Sequence, residues 1–368
     1  MTKVVIVSKA LIAGAAQRKL EELARHKDIE LVAVVPPGWH EPNVGWQMLE
    51  RRFTAGYRME VLPMAFNGRH HFHFYPGLEK LIQRERPDVL HMDEESFNPA
   101  TFQGIRVGQA LGARCLFYNY ANIERSYPPP FSWFEQYNFR HAHAIVCNAD
   151  AATIIQKHGY RGPITTLPQV GVDPDMFQPA PPRPADRPFT VGYVGRLLEA
   201  KGLLDLLEAC APLPYAHLLL VGNGELRERI KARAQELGMA DRLEIRSAVA
   251  STEVPQAMHD MDVLVLPSRT TSNWKEQFGR VLIEAMSCAI AVVGSSSGEI
   301  PNVIGDGGLV FPEGNSKALR NLIERLYDQP KLIARLARRG RERVLAHYTQ
   351  AAVAQSYAEL YRSLHSKT

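Results

Sequence analysis

Short runs of aliphatic and β-branched residues alternate with longer stretches of helical periodicity along the whole chain. Val4–Ser8, Ile29–Val35, Val89–Met92, Cys115–Asn119 and Ala144–Asn148 read as strands buried on both faces. Between them Ala15–His26, with Leu20 and Leu23 on one stripe, Leu78–Glu85 and Pro99–Leu111 read as helices. This alternation predicts βα units and a parallel, doubly wound sheet. From Pro179 to Pro188 five of ten positions are proline, which continues neither a helix nor a central strand and predicts a linker. The pattern then restarts. Phe189–Val194, Leu218–Val221, Leu243–Arg246, Val263–Pro267 and Ala289–Gly294 are predicted strands, with helices over Gly202–Ala209, Glu225–Leu237 and Val281–Met286. A long helical stretch runs from Ser316 to about Leu364 and is expected to bend near His347-Tyr348.

The expected organisation is therefore an N-terminal α/β domain over 1–178, a linker over 179–188, a second α/β domain over 189–346 and a terminal helix over 347–368. In open parallel sheets, ligands bind beyond the carboxyl ends of the strands, so two such sheets are expected to face across a cleft that holds the ligand. The composition agrees with folded domains. Of 368 residues 45% are hydrophobic and 22% charged, which excludes disorder as a main theme. No stretch reaches the roughly 18 uncharged apolar residues of a membrane span. Lysines and arginines exceed acidic residues by 43 − 39 = 4 without forming a basic stripe, so a nucleic-acid partner is not expected. The four cysteines are scattered, with no Cys-x-x-Cys pair, as in a reduced cytosolic protein. Lys9 interrupts the short apolar run at the N-terminus, which reads as a first strand rather than a signal peptide.

Two clusters carry candidate chemistry. Gly192-Tyr193-Val194-Gly195-Arg196 follows a strand and Lys201-Gly202 opens the next helix. Glycines at such a turn let backbone N–H groups approach an anion, and two cations around it suit a diphosphate. A plain glycine turn with two solvated cations is the alternative. In the second cluster, Glu276 and Glu284 form a Glu-x7-Glu pair around the start of a helix, with Gln277, Phe278 and Gly279 between them. A carboxylate beside backbone donors suits a polyhydroxylated sugar, since each hydroxyl both donates and accepts. A capping Glu and a surface Glu are the competing reading.

Taken together, Gly195-Arg196-Leu197…Lys201-Gly202, the 276–284 segment, and Ser297-Gly298-Glu299-Ile300-Pro301…Gly305-Asp306-Gly307 resemble family 4 (group 1) retaining glycosyltransferases of the GT-B fold. Gly171-Val172-Asp173 and Asp262–Ser268 extend the resemblance, which covers most of 164–345. It implies two Rossmann-like domains and a terminal helix that crosses back onto the first. Arg196 and Lys201 would neutralise the departing diphosphate, and Glu276, helped by the Gln277–Gly279 backbone, would bind the donor sugar. Glu284 would bind the ribose, while Gly195, Gly14 and Asn119 would complete the donor contacts. No metal or other cofactor is implied. The acceptor hydroxyl would attack from the face that the leaving group vacates.

The first half departs from the family pattern. Where members carry a Gly-Gly turn this chain has Ala13-Gly14-Ala15-Ala16, and Asn119 stands where a His is common. In place of a His-rich turn after the fourth strand the chain offers His91-Met92-Asp93-Glu94-Glu95, where helix capping or solvation is the expectation for Glu94 and Glu95 and an acceptor-side carboxylate is the alternative. Asp173-Pro174-Asp175, Asp260-Met261-Asp262, Gly222-Asn223-Gly224 and His70-His71-Phe72-His73 resemble metal or dinucleotide motifs but lack the surrounding context. The segment Trp39–Tyr75 interleaves aromatics with Arg51, Arg52, Arg58 and Arg69, as an acceptor groove, a bilayer contact or ordinary packing would.

The reading is thus a cytoplasmic, metal-independent retaining glycosyltransferase. It would transfer a hexose from a nucleoside diphosphate sugar, UDP-linked by family frequency, to a glycan, lipid or small-metabolite hydroxyl. Peripheral contact with the inner membrane face is left open. The alternatives are a sugar-nucleotide epimerase or hydrolase of the same fold, and a non-catalytic sugar-nucleotide-binding subunit.

Overall fold

A computed structural model describes residues 1–41, 45–181 and 187–366. It divides into two compact units, Met1–Gly171 with Gln350–Thr368, and Val172–Thr349.

In the first unit the strands are β1 (Thr2–Val7), β2 (Ile29–Val35), β3 (Gly38–Glu41), β4 (Gly45–Met48), β5 (Arg58–Val61), β6 (Val89–Met92), β7 (Arg114–Asn119), β8 (His143–Val146) and β9 (Ile164–Thr166). Seven of them form a parallel sheet in the order β5-β2-β1-β6-β7-β8-β9, and β3 and β4 form a separate antiparallel hairpin. Its helices are α1 (Gly14–Ala24), α2 (Leu78–Glu85), α3 (Pro99–Ala110), α4 (Phe131–His141) and α5 (Ala149–Lys157).

The second unit carries β10 (Phe189–Val194), β11 (Ala216–Val221), β12 (Leu243–Arg246), β13 (Val263–Leu266), β14 (Ala291–Ser295) and β15 (Gly308–Phe311) in the order β12-β11-β10-β13-β14-β15. Helices α6 (Leu203–Cys210), α7 (Arg227–Glu236), α8 (Val254–His259), α9 (Arg280–Ser287), α10 (Ile300–Ile304), α11 (Ser316–Asp328) and α12 (Pro330–His347) belong to it. The final helix, α13 (Gln350–His365), is part of the first unit.

The strand chemistry explains the two-layer covering. Val4–Val7 and Val263–Leu266 are buried at every position, as parallel strands with helices on both faces must be. The terminal helix completes the first core: Val353, Ala354, Tyr357, Ala358 and Tyr361 are buried along α1. The Tyr361 hydroxyl lies 2.8 Å from His91 Nδ1, and Arg362 makes a two-pronged bond to Asp28 at 2.7 and 2.8 Å.

The division between the units falls at Gly171, upstream of the expected end at 178. Val172 and Phe177 are buried in the second core, and the Ser287 hydroxyl donates to the Phe177 carbonyl. The proline-rich stretch therefore lies inside the second unit, tied to it by the Arg187–Asp262 ion pair, and residues 182–186 of it are outside the described residues. The long C-terminal stretch is three helices. It breaks at Gln329-Pro330, because proline cannot donate to the preceding turn, as well as near Tyr348 as expected.

Both sheets are doubly wound, and in each the strand order reverses beside the first strand. In the second unit β11 lies on one side of β10 and β13 on the other. The crevice outside the carboxyl ends of β10 and β13 is the topological switch point, where this fold class places ligands. The turns that leave these two strands carry the two motif clusters. In the first unit the equivalent place lies outside β1 and β6, lined by Ser8-Lys9 and Asp93–Glu95.

Candidate functional site

After β10 the chain passes through Gly195 and Arg196, makes a single 3₁₀ turn over Glu199–Lys201, and enters α6 at Gly202. After β13 it passes Pro267 and Ser268 and runs through an irregular loop to Gly279, where α9 begins. The fold brings these loops together. Lys201 Nζ lies 2.7 Å from Glu276 Oε2, and the Ser268 hydroxyl donates to the same oxygen at 2.9 Å. Lys201 also sits 4.4 Å from the centroid of the Trp274 ring. Glu276 is buried, and a cation and a hydroxyl satisfy its carboxylate there.

The loop that presents Glu276 is held from behind. The Glu299 N–H donates to the Glu276 carbonyl at 3.2 Å. Gly298 has φ +55°, and a Cβ there would lie 1.9 Å from that carbonyl oxygen. The Ser297-Gly298-Glu299 motif is thus a brace for Glu276. Gly298→Ala is expected to displace this loop and to cut turnover at least tenfold, with far-UV circular dichroism reporting an intact fold.

Other predicted residues fall differently. Arg196 is exposed, and no ion pair engages its guanidinium among the described residues. Gly195 donates its N–H to the Val221 carbonyl at 2.9 Å, so that group continues the sheet and does not face a ligand. Gly279 has φ +77° and caps the start of α9, where the Leu282 N–H donates to the Gly279 carbonyl at 2.8 Å. Phe278 packs against Tyr348, with ring centroids 5.7 Å apart, and so anchors the loop through its side chain. Gln277 sits beside Glu276 in the same loop, which gives the two residues a shared backbone path.

Glu284 lies inside α9 and pairs with Arg280 at 2.8 Å, while burial pushes its carboxyl pKa up. It stays apart from the Lys201–Glu276 pair in its bonding. The glycines at 222 and 224 serve as packing beside the Leu197 turn, whose N–H donates to the Asn223 carbonyl at 2.9 Å. Asp260 pairs with Arg246, and Asp262 accepts from Thr190 N–H at 2.8 Å, so both are engaged in structural contacts.

In the first unit the Gly14 N–H donates to the Glu50 carboxylate at 3.0 Å. A carboxylate of the chain itself thus fills the amide end of α1. Asn119 is buried at the end of β7, where it accepts from the Ser96 hydroxyl at 3.2 Å. Capping and solvation, the expectation for Glu94 and Glu95, are both overturned. Glu94 is buried between Lys9 and His73, and although burial opposes ionisation, those neighbours hold its pKa at about 2. Burial pushes Glu95 the other way, up to about 8. Its Oε1 accepts the Tyr120 N–H at 3.1 Å, and its buried Oε2 has no hydrogen-bond partner among the described residues.

This shift has a stability consequence. Between the ordinary value of 4.5 and about 8, the folded chain keeps a proton on Glu95 that the unfolded chain has released. Stability from this group is therefore present below pH 4.5 and is lost as pH rises towards 8. Urea unfolding of Glu95→Gln and the parent chain should diverge over that window, with the variant about 2–4 kcal/mol more stable at pH 8.5. Parallel pH profiles would remove the assignment.

Of the Trp39–Tyr75 segment, Trp39 and Tyr75 are buried, whereas Trp46, Phe66 and Phe72 are about half exposed. Residues 42–44 within it lie outside the described residues. Trp133 is exposed on α4, and Phe72 packs edge-on against Phe131 with centroids 5.1 Å apart. No described helix is long and apolar enough to cross a membrane.

Comparison with known proteins supplies the family context. Residues 177–343 match the family model for glycosyl transferases group 1. The chain is 26% identical over 371 residues to the lipopolysaccharide core biosynthesis glycosyltransferase LpsE of Rhizobium meliloti (strain 1021), covering 95% of this chain and 96% of LpsE. It is 26% identical to alpha-D-kanosaminyltransferase of Streptomyces kanamyceticus, covering 77% of this chain and 80% of that one. Among solved structures, sucrose-phosphate synthase of Thermosynechococcus elongatus aligns over 100% of both chains with a TM-score of 0.73 at 21% identity. Anabaena HepE in complex with UDP aligns over 99% of this chain and 100% of HepE, with a TM-score of 0.73 at 18% identity. With the switch-point geometry, these likenesses support a glycosyltransferase of the GT-B fold, in which residues 177–343 are similar to the group 1 glycosyl transferase domain.

Proposed function

We propose that the chain is a retaining, metal-independent hexosyltransferase that uses a UDP-linked sugar and passes the hexose to a hydroxyl acceptor. The observation that carries this reading is the Lys201–Glu276–Ser268 cluster at the β10/β13 switch point, with the exposed Arg196 guanidinium on the adjoining turn. Arg196 grips the diphosphate with its fork of donors, and Lys201 adds a second positive charge. These two cations do the neutralising that a divalent ion would otherwise supply. Glu276, aided by the backbone of Gln277, Phe278 and Gly279, orients the sugar hydroxyls, and Glu284 binds the nucleotide ribose.

In the transfer step the bond between the anomeric carbon and the diphosphate oxygen breaks. The acceptor oxygen bonds to the same face of that carbon, and its proton leaves with the diphosphate. The protein contributes position and charge stabilisation of an oxocarbenium-like state. HepE has been solved with UDP, with UDP and glucose, and with UDP-glucose; those ligands are HepE's own, and they support the choice of nucleotide here. Exposed Trp46, Met48, Phe66, Phe72 and Trp133 are the places where an amphipathic acceptor or a bilayer surface would be met.

The test is incubation of the pure protein with a panel of UDP-, GDP- and ADP-sugars while nucleoside diphosphate release is followed. Slow release from one UDP-sugar is the expected result, and a chain that neither binds nor turns over any donor refutes the reading. Binding of UDP without turnover, with every acceptor class tried, would instead favour the non-catalytic subunit. Arg196→Ala is expected to weaken UDP about ten- to a hundredfold by calorimetry, the loss of one charge-assisted contact. An unchanged affinity would remove Arg196 from the site.

A further inference from the structure

A second ion pair closes the other side of the Lys201 turn. Asp205, the third residue of α6, is buried, and Arg269 follows directly on Ser268. The Arg269 guanidinium grips the Asp205 carboxylate with two prongs, Nε donating to Oδ2 at 2.6 Å and Nη2 to Oδ1. The Arg269 N–H also donates to the Ala200 carbonyl at 2.8 Å, so one residue holds the turn on both sides of Lys201 and Gly202. Asp205 Oδ2 lies 3.4 Å from where a Cβ on Gly202 would stand, which puts the carboxylate directly against the turn. An acidic residue in the first turn of a helix is stabilised by the partial positive charge there. For α6 the consequence is that its N-terminal end is already offset by a carboxylate and offers a diphosphate little attraction of its own.

Formal charge makes this pair decisive. Arg196 and Lys201 are the cations of the turn, and Glu276 and Asp205 already match them in number. Glu313 adds a third carboxylate, whose Oε2 accepts the Thr270 N–H at 2.7 Å. Without Arg269 these carboxylates outnumber the cations, and an anionic donor would be repelled. We infer that Arg269 is a positioning residue for the donor: by masking the Asp205 carboxylate it lets the Lys201 turn accept a diphosphate. The inference rests on the reading of that turn as the diphosphate site, and adds a residue that acts on the nucleotide through another side chain. The backbone bond to Ala200 needs no particular side chain at position 269, so substitution there removes the guanidinium alone. A planar fork suits the task because it satisfies both carboxylate oxygens at once.

The experiment titrates the full chain with UDP, GDP and ADP by calorimetry, and a thermal melt reports folding. Arg269→Gln leaves the Asp205 carboxylate bare and should weaken the nucleotide that binds about tenfold at about 50 mM salt. At about 0.5 M salt the loss should shrink below about threefold, because charges near the surface are screened. Asp205→Asn removes the carboxylate together with the need for a mask, and should bind the nucleotide at least as tightly as the parent chain. The double variant, Asp205→Asn with Arg269→Gln, should return to within about threefold of the parent. Arg233→Gln removes an equal charge from α7, where Arg233 pairs with Glu208 and Glu236, and should leave the affinity within about twofold. An Arg269→Gln variant within about twofold of the parent at low salt overturns the inference. A double variant as weak as Arg269→Gln does the same, since Arg269 would then be a direct ligand of the nucleotide. Asp205→Asn as weak as Arg269→Gln also overturns it, because a purely structural clamp is broken from either side. Should Arg269→Gln fail to fold, the Asp205→Asn and double variants still decide, each against the parent. A parent chain that binds none of the three nucleotides refutes the diphosphate reading and this inference with it, whereas the results above overturn the inference alone.

Discussion

Replacing Glu276 by alanine should lower turnover by about two to three orders of magnitude and leave UDP affinity unchanged or slightly tighter. Glu276 is the only acidic group bonded to both Lys201 and Ser268 among the described contacts, and its burial makes each of these bonds stronger than it would be in water. A preorganised group aimed at a reacting sugar typically contributes that much to rate. The direction for UDP is more telling. Lys201 is paired with Glu276, so removing the carboxylate frees an ammonium for the diphosphate. Glu276→Gln separates the parts further, since it keeps an acceptor for Ser268 but abolishes the ion pair. Initial rates of UDP release and calorimetric UDP binding check both halves. A Glu276→Ala enzyme within threefold of the parent rate would remove this residue from the sugar site.

The second large effect is expected at Gly202, where the cost is steric. Gly202 has φ +65°, and a Cβ there would stand 2.0 Å from the Pro267 carbonyl oxygen. The turn that carries Lys201 thus packs directly on the strand end that carries Ser268, where the Arg269 N–H also donates to the Ala200 carbonyl at 2.8 Å. Gly202→Ala must push the two apart or strain the backbone, at about 2–4 kcal/mol and therefore about 5–15 °C in melting temperature. Gly238 supplies the control: its φ is +64°, but nothing lies within 4 Å of the added carbon. Gly238→Ala should therefore show the backbone penalty alone, about 1 kcal/mol. Similar melting temperatures for the two variants would mean that the close approach to Pro267 is relaxed at no cost. Because the Gly202 contact also fixes Lys201 against Glu276, its variant should lose activity beyond what its stability explains.

Much of the fold was legible because periodicity and burial go together in parallel sheets. Val4–Val7, Val89–Met92 and Val263–Leu266 are continuous apolar runs, and both faces of a covered sheet demand such runs. The β3–β4 hairpin was not legible. Gly38–Glu41 and Gly45–Met48 mix Trp39 and Trp46 with polar residues, and the hairpin has no alternating pattern because Trp39 is buried while Trp46 is half exposed. The helix α4 was missed for a related reason: Phe131–His141 is rich in aromatics, whose helical preference is weak, and packing against α3 decides its conformation. The unit boundary was misplaced because the proline-rich stretch is a local signal. Which core receives Val172 and Phe177 depends on residues far away in sequence, such as Ser287 and Tyr348.

The candidate site divides in the same way. The sequence by itself determined the residue types and their order: cations on the turn after one strand, and a Glu-x7-Glu segment after another. Glycines, charges and helix starts have local causes, so they can be read locally. Only the tertiary structure decided the pairings. Lys201 and Glu276 are 2.7 Å apart because β10 and β13 are neighbours at the switch point, and strand order is set by how helices cover both faces of the sheet. The same holds for Glu94 and Glu95. Adjacent and chemically alike in sequence, they are driven to about 2 and about 8, because Lys9 and His73 meet one and burial dominates the other. A carboxyl's charge depends on what the fold places around it, and that is a property of distance in space rather than of position along the chain.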